Sequence, residues 1–344
     1  MVACILTELE LQRDFLQGAP LSSVYLGGGT PSLLDITELE QIFNKIRELH
    51  LLEPGAEITL EANPDDLTRE KLNQIRDFTP VNRLSIGVQS FSDADLQWMN
   101  RAHNAMHARA CLEEALKAGF SDLTIDLIYG APSTSDEQWA ENLRTAFEYG
   151  IPHLSCYCLT VEEGTALHHF VGKGKQPPVD EEKAARQFEY LQLETARLGY
   201  EHYEISNFAL PGRYARHNSS YWLGEPYLGI GPAAHSFDGR SRQWNVANNA
   251  LYIQSLKERI IPFEREILSP AQRYNEYVMT SMRTKWGTDE RKIAAEYDEF
   301  TALFKQVIQP YLESGHVEED KGIYRLSRTG KLLADKIASD LFVS

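Results

Sequence analysis

Positive charge, cysteine and long apolar runs are all scarce in this 344-residue chain. There are 34 Lys and Arg against 50 Asp and Glu, a formal net charge of −16. A surface so acidic repels polyanions, so nucleic acid is not an expected partner. No apolar run reaches the roughly 18 residues of a membrane-spanning helix. No secretory leader pattern opens the chain, and a cytoplasmic location is the expectation. The four cysteines are Cys4, Cys111, Cys156 and Cys158, and no pair has zinc-site spacing. If Cys156-Tyr157-Cys158 lies on a strand, its two thiols face opposite ways and make a poor chelate. Cys111 sits on the apolar face of a helical pattern and reads as a small core residue. A dinucleotide fingerprint G-x-G-x-x-G is also missing: Gly27-Gly28-Gly29 runs into Thr30-Pro31.

What is present is a globular composition, 42% hydrophobic, at a length suited to one large domain and a smaller one. Strand-like apolar runs alternate with helical patterns from residue 24 to about 205. The runs are Val24–Leu26, Glu57–Glu61, Arg83–Val88, Asp122–Tyr129, His153–Tyr157 and Glu201–Ile205. Thr37-Glu38-Leu39-Glu40 and Ser135-Asp136-Glu137-Gln138 read as capping boxes, and Ser92 to Asp95 resembles one. Gly119, Gly150 and Gly199 each follow a helical run as C-terminal caps. Alternating strands and helices imply βαβ units and a parallel sheet. About six units predict an α/β fold, a partial (β/α) barrel, over residues 1–205. Residues 206–262 lose the alternation and are expected to form an irregular segment near the barrel mouth. Residues 263–344 predict helices, a hairpin turning at Asp320-Lys321-Gly322, and a final helix. This α+β module is winged-helix-like, and a structural or docking role suits the acidic chain better than DNA binding.

In a parallel barrel the functional groups sit at the C-terminal strand ends. Gly27-Gly28-Gly29 ends the first strand run, where backbone can approach a ligand closely or simply turn. Glu61 and Gln89 end the next two. Asp126 interrupts the apolar run Leu123–Tyr129, so it must be solvated, paired or ligand-bound. Singly each residue has a structural reading, but together they form a polar ring at one barrel face. His217-Asn218-Ser219-Ser220-Tyr221-Trp222 is a second constellation. From the residues alone its histidine and aromatics read as stabilising an irregular loop. His235 is a further pocket candidate, with the structural reading preferred.

The segments Tyr25–Ser32, Glu61-Ala62-Asn63-Pro64, Gly87–Phe91, Met99-Asn100-Arg101 and Asp126–Gly130 stand in order at spacings that identify a resemblance. The chain resembles the radical S-adenosylmethionine (SAM) subfamily that contains oxygen-independent coproporphyrinogen oxidase and its heme-chaperone relatives. The likeness runs from Gly27 through the C-terminal module. It implies a radical SAM-type barrel and SAM contacts at Gly28, Gly29, Thr30, Glu61, Gln89, Arg101 and Asp126, with Cys158 as a backbone contact to adenine. It also implies heme contact at His217, Tyr221 and Trp222, His217 being the iron ligand. The H-N-x-x-Y-W motif resembles that of the chaperones, so heme or another tetrapyrrole and heme-acceptor proteins are the expected partners. The oxidase, a radical decarboxylase of tetrapyrrole propionates, is the alternative. The family's cofactors are SAM, heme and a [4Fe–4S] cluster held by C-x-x-x-C-x-x-C ahead of the glycine triplet. Here that stretch is only Met1 to Ser23, with the single Cys4 in a helical pattern. No cluster is therefore expected in this chain, whether through a truncated start or through genuine loss.

Overall fold

The computed structural model describes residues 1–343 and bears out the α/β reading. The strands of the principal sheet are β1 (Leu21–Leu26), β2 (Leu52–Ala62), β3 (Arg83–Gln89), β4 (Leu123–Tyr129), β5 (His153–Cys158), β6 (Glu201–Glu204) and β7 (Asn207–Ala209). The helices before and between them are α1 (Val2–Leu11), α2 (Ile36–Leu49), α3 (Arg69–Phe78), α4 (Asp93–Trp98), α5 (Ala105–Lys117), α6 (Asp136–Glu148), α7 (Ala166–Gly172) and α8 (Glu181–Arg197). The sheet order is β1-β2-β3-β4-β5-β7-β6, a curled partial barrel. β2 to β5 pair in parallel.

The far end of the sheet departs from the expected all-parallel pattern. β7 lies between β5 and β6 and is antiparallel to both. It has three residues, too few to show a period in sequence. The start of α2 also differs. Its cap is Asp35, which accepts from the Glu38 amide while Glu38 accepts from the Asp35 amide. Asp35-x-x-Glu38 and Thr37-x-x-Glu40 compete for the same box, and Asp caps at least as well as Thr. Ser135 and Ser92 cap α6 and α4 as their sequences suggest.

Contacts divide the chain into two compact units. One comprises residues 25–34 and 58–214, the other 1–24, 35–57 and 215–344. The first has the core expected of strands covered on both faces. Leu84, Ile86 and Val88 of β3 and Leu123, Ile125 and Leu127 of β4 are fully buried. Helix residues Leu72, Ile75, Leu112, Trp139 and Leu191 are buried with them. Full burial of such side chains is worth roughly 1.5–3 kcal/mol each.

The second unit contains the stretch that looks irregular in sequence. It holds α9 (Arg216–Leu223), β8 (His235–Phe237), β9 (Ser241–Asn245), α10 (Asn249–Lys257) and β10 (Phe263–Ile267). The three strands form an antiparallel sheet in the order β10-β9-β8. After them come α11 (Pro270–Met282), β11 (Thr288–Asp289), α12 (Glu290–Glu296), α13 (Thr301–Glu313), β12 (Val317–Asp320), β13 (Ile323–Leu326) and α14 (Ala334–Asp340). β12 and β13 make the hairpin expected at Asp320-Lys321-Gly322. Lys321 and Gly322 both have positive φ, as a tight two-residue turn requires.

Candidate functional site

A cavity of about 150 Å³ opens at the C-terminal ends of the parallel strands, within residues 25–34 and 58–214. Gly29, Thr30, Glu61, Gln89, Arg101 and Asp126 all line it. Six of the eight residues expected to contact SAM are therefore brought together. Gly28 and Cys158 do not line the cavity. The Gly28 amide is already committed, donating to Glu61 Oε2 at 3.0 Å. Cys158 is exposed, with Sγ 3.8 Å from the Leu159 carbonyl oxygen.

Glu61 is the best-anchored of the set. Its Oε1 accepts from the Tyr25 hydroxyl at 2.6 Å while Oε2 takes the Gly28 amide. This geometry needs a glycine at 27. A Cβ there would stand 2.5 Å from the Tyr25 ring and 2.9 Å from Glu61 Cδ. Gln89 carries a left-handed φ of 66° where the β3–β4 register shifts, which turns its backbone at the strand end. Such strained backbone is characteristic of ligand sites. Arg101 donates to Asn63 Oδ1 at 3.1 Å, which fixes the guanidinium at the cavity wall.

The electrostatics follow from this crowding. Burial, and then the neighbouring Glu61 charge, push the Asp126 carboxyl up to about 7. Ser155 and Arg101 oppose the shift. Near neutrality the cavity thus offers one firmly held carboxylate, a second poised to ionise, and one guanidinium. That set suits a ligand bearing both a cationic and an anionic group. Tyr25 and Asn63 lie in motifs that carry the family resemblance and Ser85 in a strand run, but no site role is legible for them in sequence, and nothing there reports that Tyr25 reaches Glu61.

The other constellation lies in the second unit, on α9. Ala215 provides no side-chain cap, so the first amides of α9 depend on Glu57. Its carboxylate accepts from Arg216 N at 2.9 Å and His217 N at 3.1 Å. The His217 ring meets Tyr221 edge-on at 4.9 Å, and its Nδ1 lies 3.4 Å from Ser23 Oγ. Burial lowers the His217 pKa to about 4, so the imidazole is neutral at pH 7 and chemically competent to ligate a metal. Tyr221 is exposed, while the Trp222 ring lies 5.4 Å from the Arg283 guanidinium in a cation–π arrangement. His235 is on β8, exposed.

A four-iron cluster does not fit the residues present. Among the described residues no group of three or more His, Cys, Asp or Glu is arranged to hold a metal. Cys4 is buried on α1 with Tyr252 and Leu256, Cys111 and Cys156 are buried, and only Cys158 is exposed. Cluster thiolates must converge on one centre, and these do not. Also among the described residues, no helix is long and apolar enough to cross a membrane.

Comparison with known proteins agrees with this architecture. The Radical SAM superfamily model matches residues 7–146, and the HemN C-terminal domain model matches residues 268–333. The heme chaperone HemW of Mycobacterium tuberculosis is 33% identical over 97% of this chain and 84% of that protein. The Escherichia coli heme chaperone HemW is 31% identical over 99% of this chain and 89% of its own length. Among solved structures, coproporphyrinogen III oxidase (HemN) from Escherichia coli superposes with a TM-score of 0.85. It is 22% identical, and the match covers 99% of this chain and 82% of that one, a likeness of fold.

Proposed function

The chain belongs to the HemW family of heme chaperones within the radical SAM superfamily, and from that membership we propose that it binds heme and passes it to acceptor proteins in the cytoplasm. The observation that carries this reading is the alignment with HemW over nearly the whole chain. The physical support is α9, where a neutral imidazole and exposed aromatic surface stand together. In this reading His217 ligates the iron, and Tyr221 and Trp222 pack against the macrocycle.

SAM is assigned to the cavity at the strand ends. Its ammonium and sulfonium charges suit Glu61 and Asp126, and its carboxylate suits Arg101. Gly28, Gly29, Thr30 and Gln89 would complete the contacts, with Cys158 near the adenine. Bound there, SAM supplies an activated sulfonium–carbon bond. The protein's own contribution is orientation: Tyr25 and the Gly28 amide hold Glu61, and Asn63 holds Arg101. Among the described residues no set of thiols is arranged to hold a cluster beside SAM. The oxidase reading is supported by fold likeness alone, and the reaction would need that cluster.

The test is a hemin titration of the wild type, His217→Ala and Trp222→Ala, with folding checked by circular dichroism. His217→Ala should weaken binding or move the Soret band. Trp222→Ala should cost about 0.5–1.5 kcal/mol beyond lost area. A folded wild type that takes up no hemin would end the chaperone reading.

A further inference from the structure

We propose that Arg283 is the seat for a propionate carboxylate of the tetrapyrrole held on α9. The proposal rests on the heme-binding reading above and adds a partner for the ligand's charge. Heme is a flat apolar ring with carboxylates along one edge. A chain with a net charge of −16 repels those carboxylates unless a cation is fixed close to the ring's site.

Arg283 is placed for that task. It is the C-terminal cap of α11, and its guanidinium lies 5.4 Å from the centre of the Trp222 ring. Trp222 is one of the α9 aromatics assigned to the macrocycle. Arg283, Trp222, Tyr221 and His217 all belong to one compact unit. With 3.6 residues per turn, Tyr221 sits about 40° around α9 from His217, and Trp222 about 140°. Tyr221 thus lies between the imidazole and the indole, and the guanidinium marks the end of that arc away from the iron ligand. A propionate hangs from the macrocycle edge on a flexible arm, so its cation belongs beyond the ring rather than over it.

The surroundings make this cation exchangeable between carboxylates. The Arg283 side chain is 20% exposed, against 63% for Arg197 and 76% for Arg291 in their surface pairs. Packing, more than its salt bridge, therefore sets its position. That bridge runs to Asp335 on α14, at 2.5 Å, and the Asp335 side chain is 89% exposed. An ion pair with so exposed a partner is worth about 0–1 kcal/mol. Asp335 shows that a carboxylate fits there, and a ligand carboxylate can replace it at little cost. A guanidinium can grip its replacement through two parallel hydrogen bonds. Further cations follow in the chain: Arg325 Nε donates to the carbonyl oxygen of Lys285, close after Arg283, at 2.7 Å. Glu276, the acid of α11, is already paired with Arg242 at 3.0 Å.

The structural alternative is a helix cap whose cation braces α14 through Asp335, and it predicts a change in melting temperature alone. The test titrates the full chain with hemin and with hemin dimethyl ester, whose propionates carry no charge. Wild type, Arg283→Gln and Asp335→Asn are compared, with a melting curve for each. Wild type should bind hemin at least about tenfold more tightly than the ester, equivalent to ~1.4 kcal/mol. Arg283→Gln should abolish that preference, weakening hemin and leaving the ester unchanged. Asp335→Asn removes the competing carboxylate, so it should tighten hemin by about twofold or more and leave the ester unchanged. Equal binding of hemin and ester by wild type would overturn the assignment while leaving the chaperone reading intact. So would a preference for hemin that persists in folded Arg283→Gln. If Arg283→Gln does not fold, Asp335→Asn decides, and hemin affinity unchanged or lowered in that variant overturns the proposal. Failure of wild type to bind either porphyrin would end the heme reading and the proposal with it.

Discussion

Glu57 caps the helix that carries His217, accepting the His217 amide at 3.1 Å and the Arg216 amide at 2.9 Å. Glu57 is itself buried, so its charge acts on the helix N-terminus with little competition from water. Glu57→Ala should therefore cost about 1–2 kcal/mol of stability, the upper range for loss of a cap. It should also loosen α9 and weaken hemin binding while leaving His217 in the sequence. Thermal melts with hemin titrations check this, and a variant equal to wild type in both would refute the coupling.

Asp126 gives a stability effect whose sign can be worked out. Its native pKa of about 7 lies above the ordinary 3.8 of an aspartate, so the folded state holds a proton that the unfolded state has lost. Stability from this group is present below the unfolded pKa and falls as pH rises toward about 7. Asp126→Asn removes the titration. The variant should gain on the wild type as pH rises from 4 to 8, reaching several degrees in Tm at about 2–4 °C per kcal/mol. Parallel Tm curves for the two proteins would sink the prediction.

Glu8 is fully buried on α1, and its carboxylate serves four donors. Gln12 Nε2 lies at 2.9 Å, Gly231 N at 2.8 Å, Asn245 Nδ2 at 2.6 Å and the Tyr252 hydroxyl at 2.5 Å. Glu8→Ala strands all of them, and the expected loss is about 3–5 kcal/mol. Glu8→Gln keeps the shape and part of the bonding, so it should cost less. Denaturant melts of both variants decide the point, and an Ala variant within 1 kcal/mol of wild type would contradict it.

Anaerobic reconstitution with iron and sulfide should leave this chain without a stoichiometric cluster, because its four thiols do not converge. Iron content and visible absorption after desalting measure it. A stable four-iron spectrum from this polypeptide would show that the thiols rearrange.

His217 supplies the opposite pH signature. Its native pKa of about 4 lies below 6.5, so the unfolded state binds the extra proton. Stability should rise with pH between about 4 and 6.5 and then level off. In His217→Gln that rise should shrink, as read by Tm against pH. An undiminished slope would assign the rise to other groups.

The local chemistry of the site was legible in the linear sequence because strand ends and helix caps are short-range features. An Asp inside Leu123–Tyr129, or a carboxylate ending a strand at Glu61, conflicts with its apolar surroundings wherever the strand goes. Alternation of apolar runs likewise announces βαβ units before any contact is known. Tertiary structure decided what depends on approach between distant segments. Only folding brings Tyr25 to Glu61, turns the Gly28 amide inward, and sets Glu57 over the start of α9. The antiparallel β7, three residues long, gains its identity from its neighbours on both sides. The same holds for His235. Its neighbours in sequence are small or polar, and only the buried back of the sheet, fastened through Glu8 and Gln12, turns it outward beside Trp244.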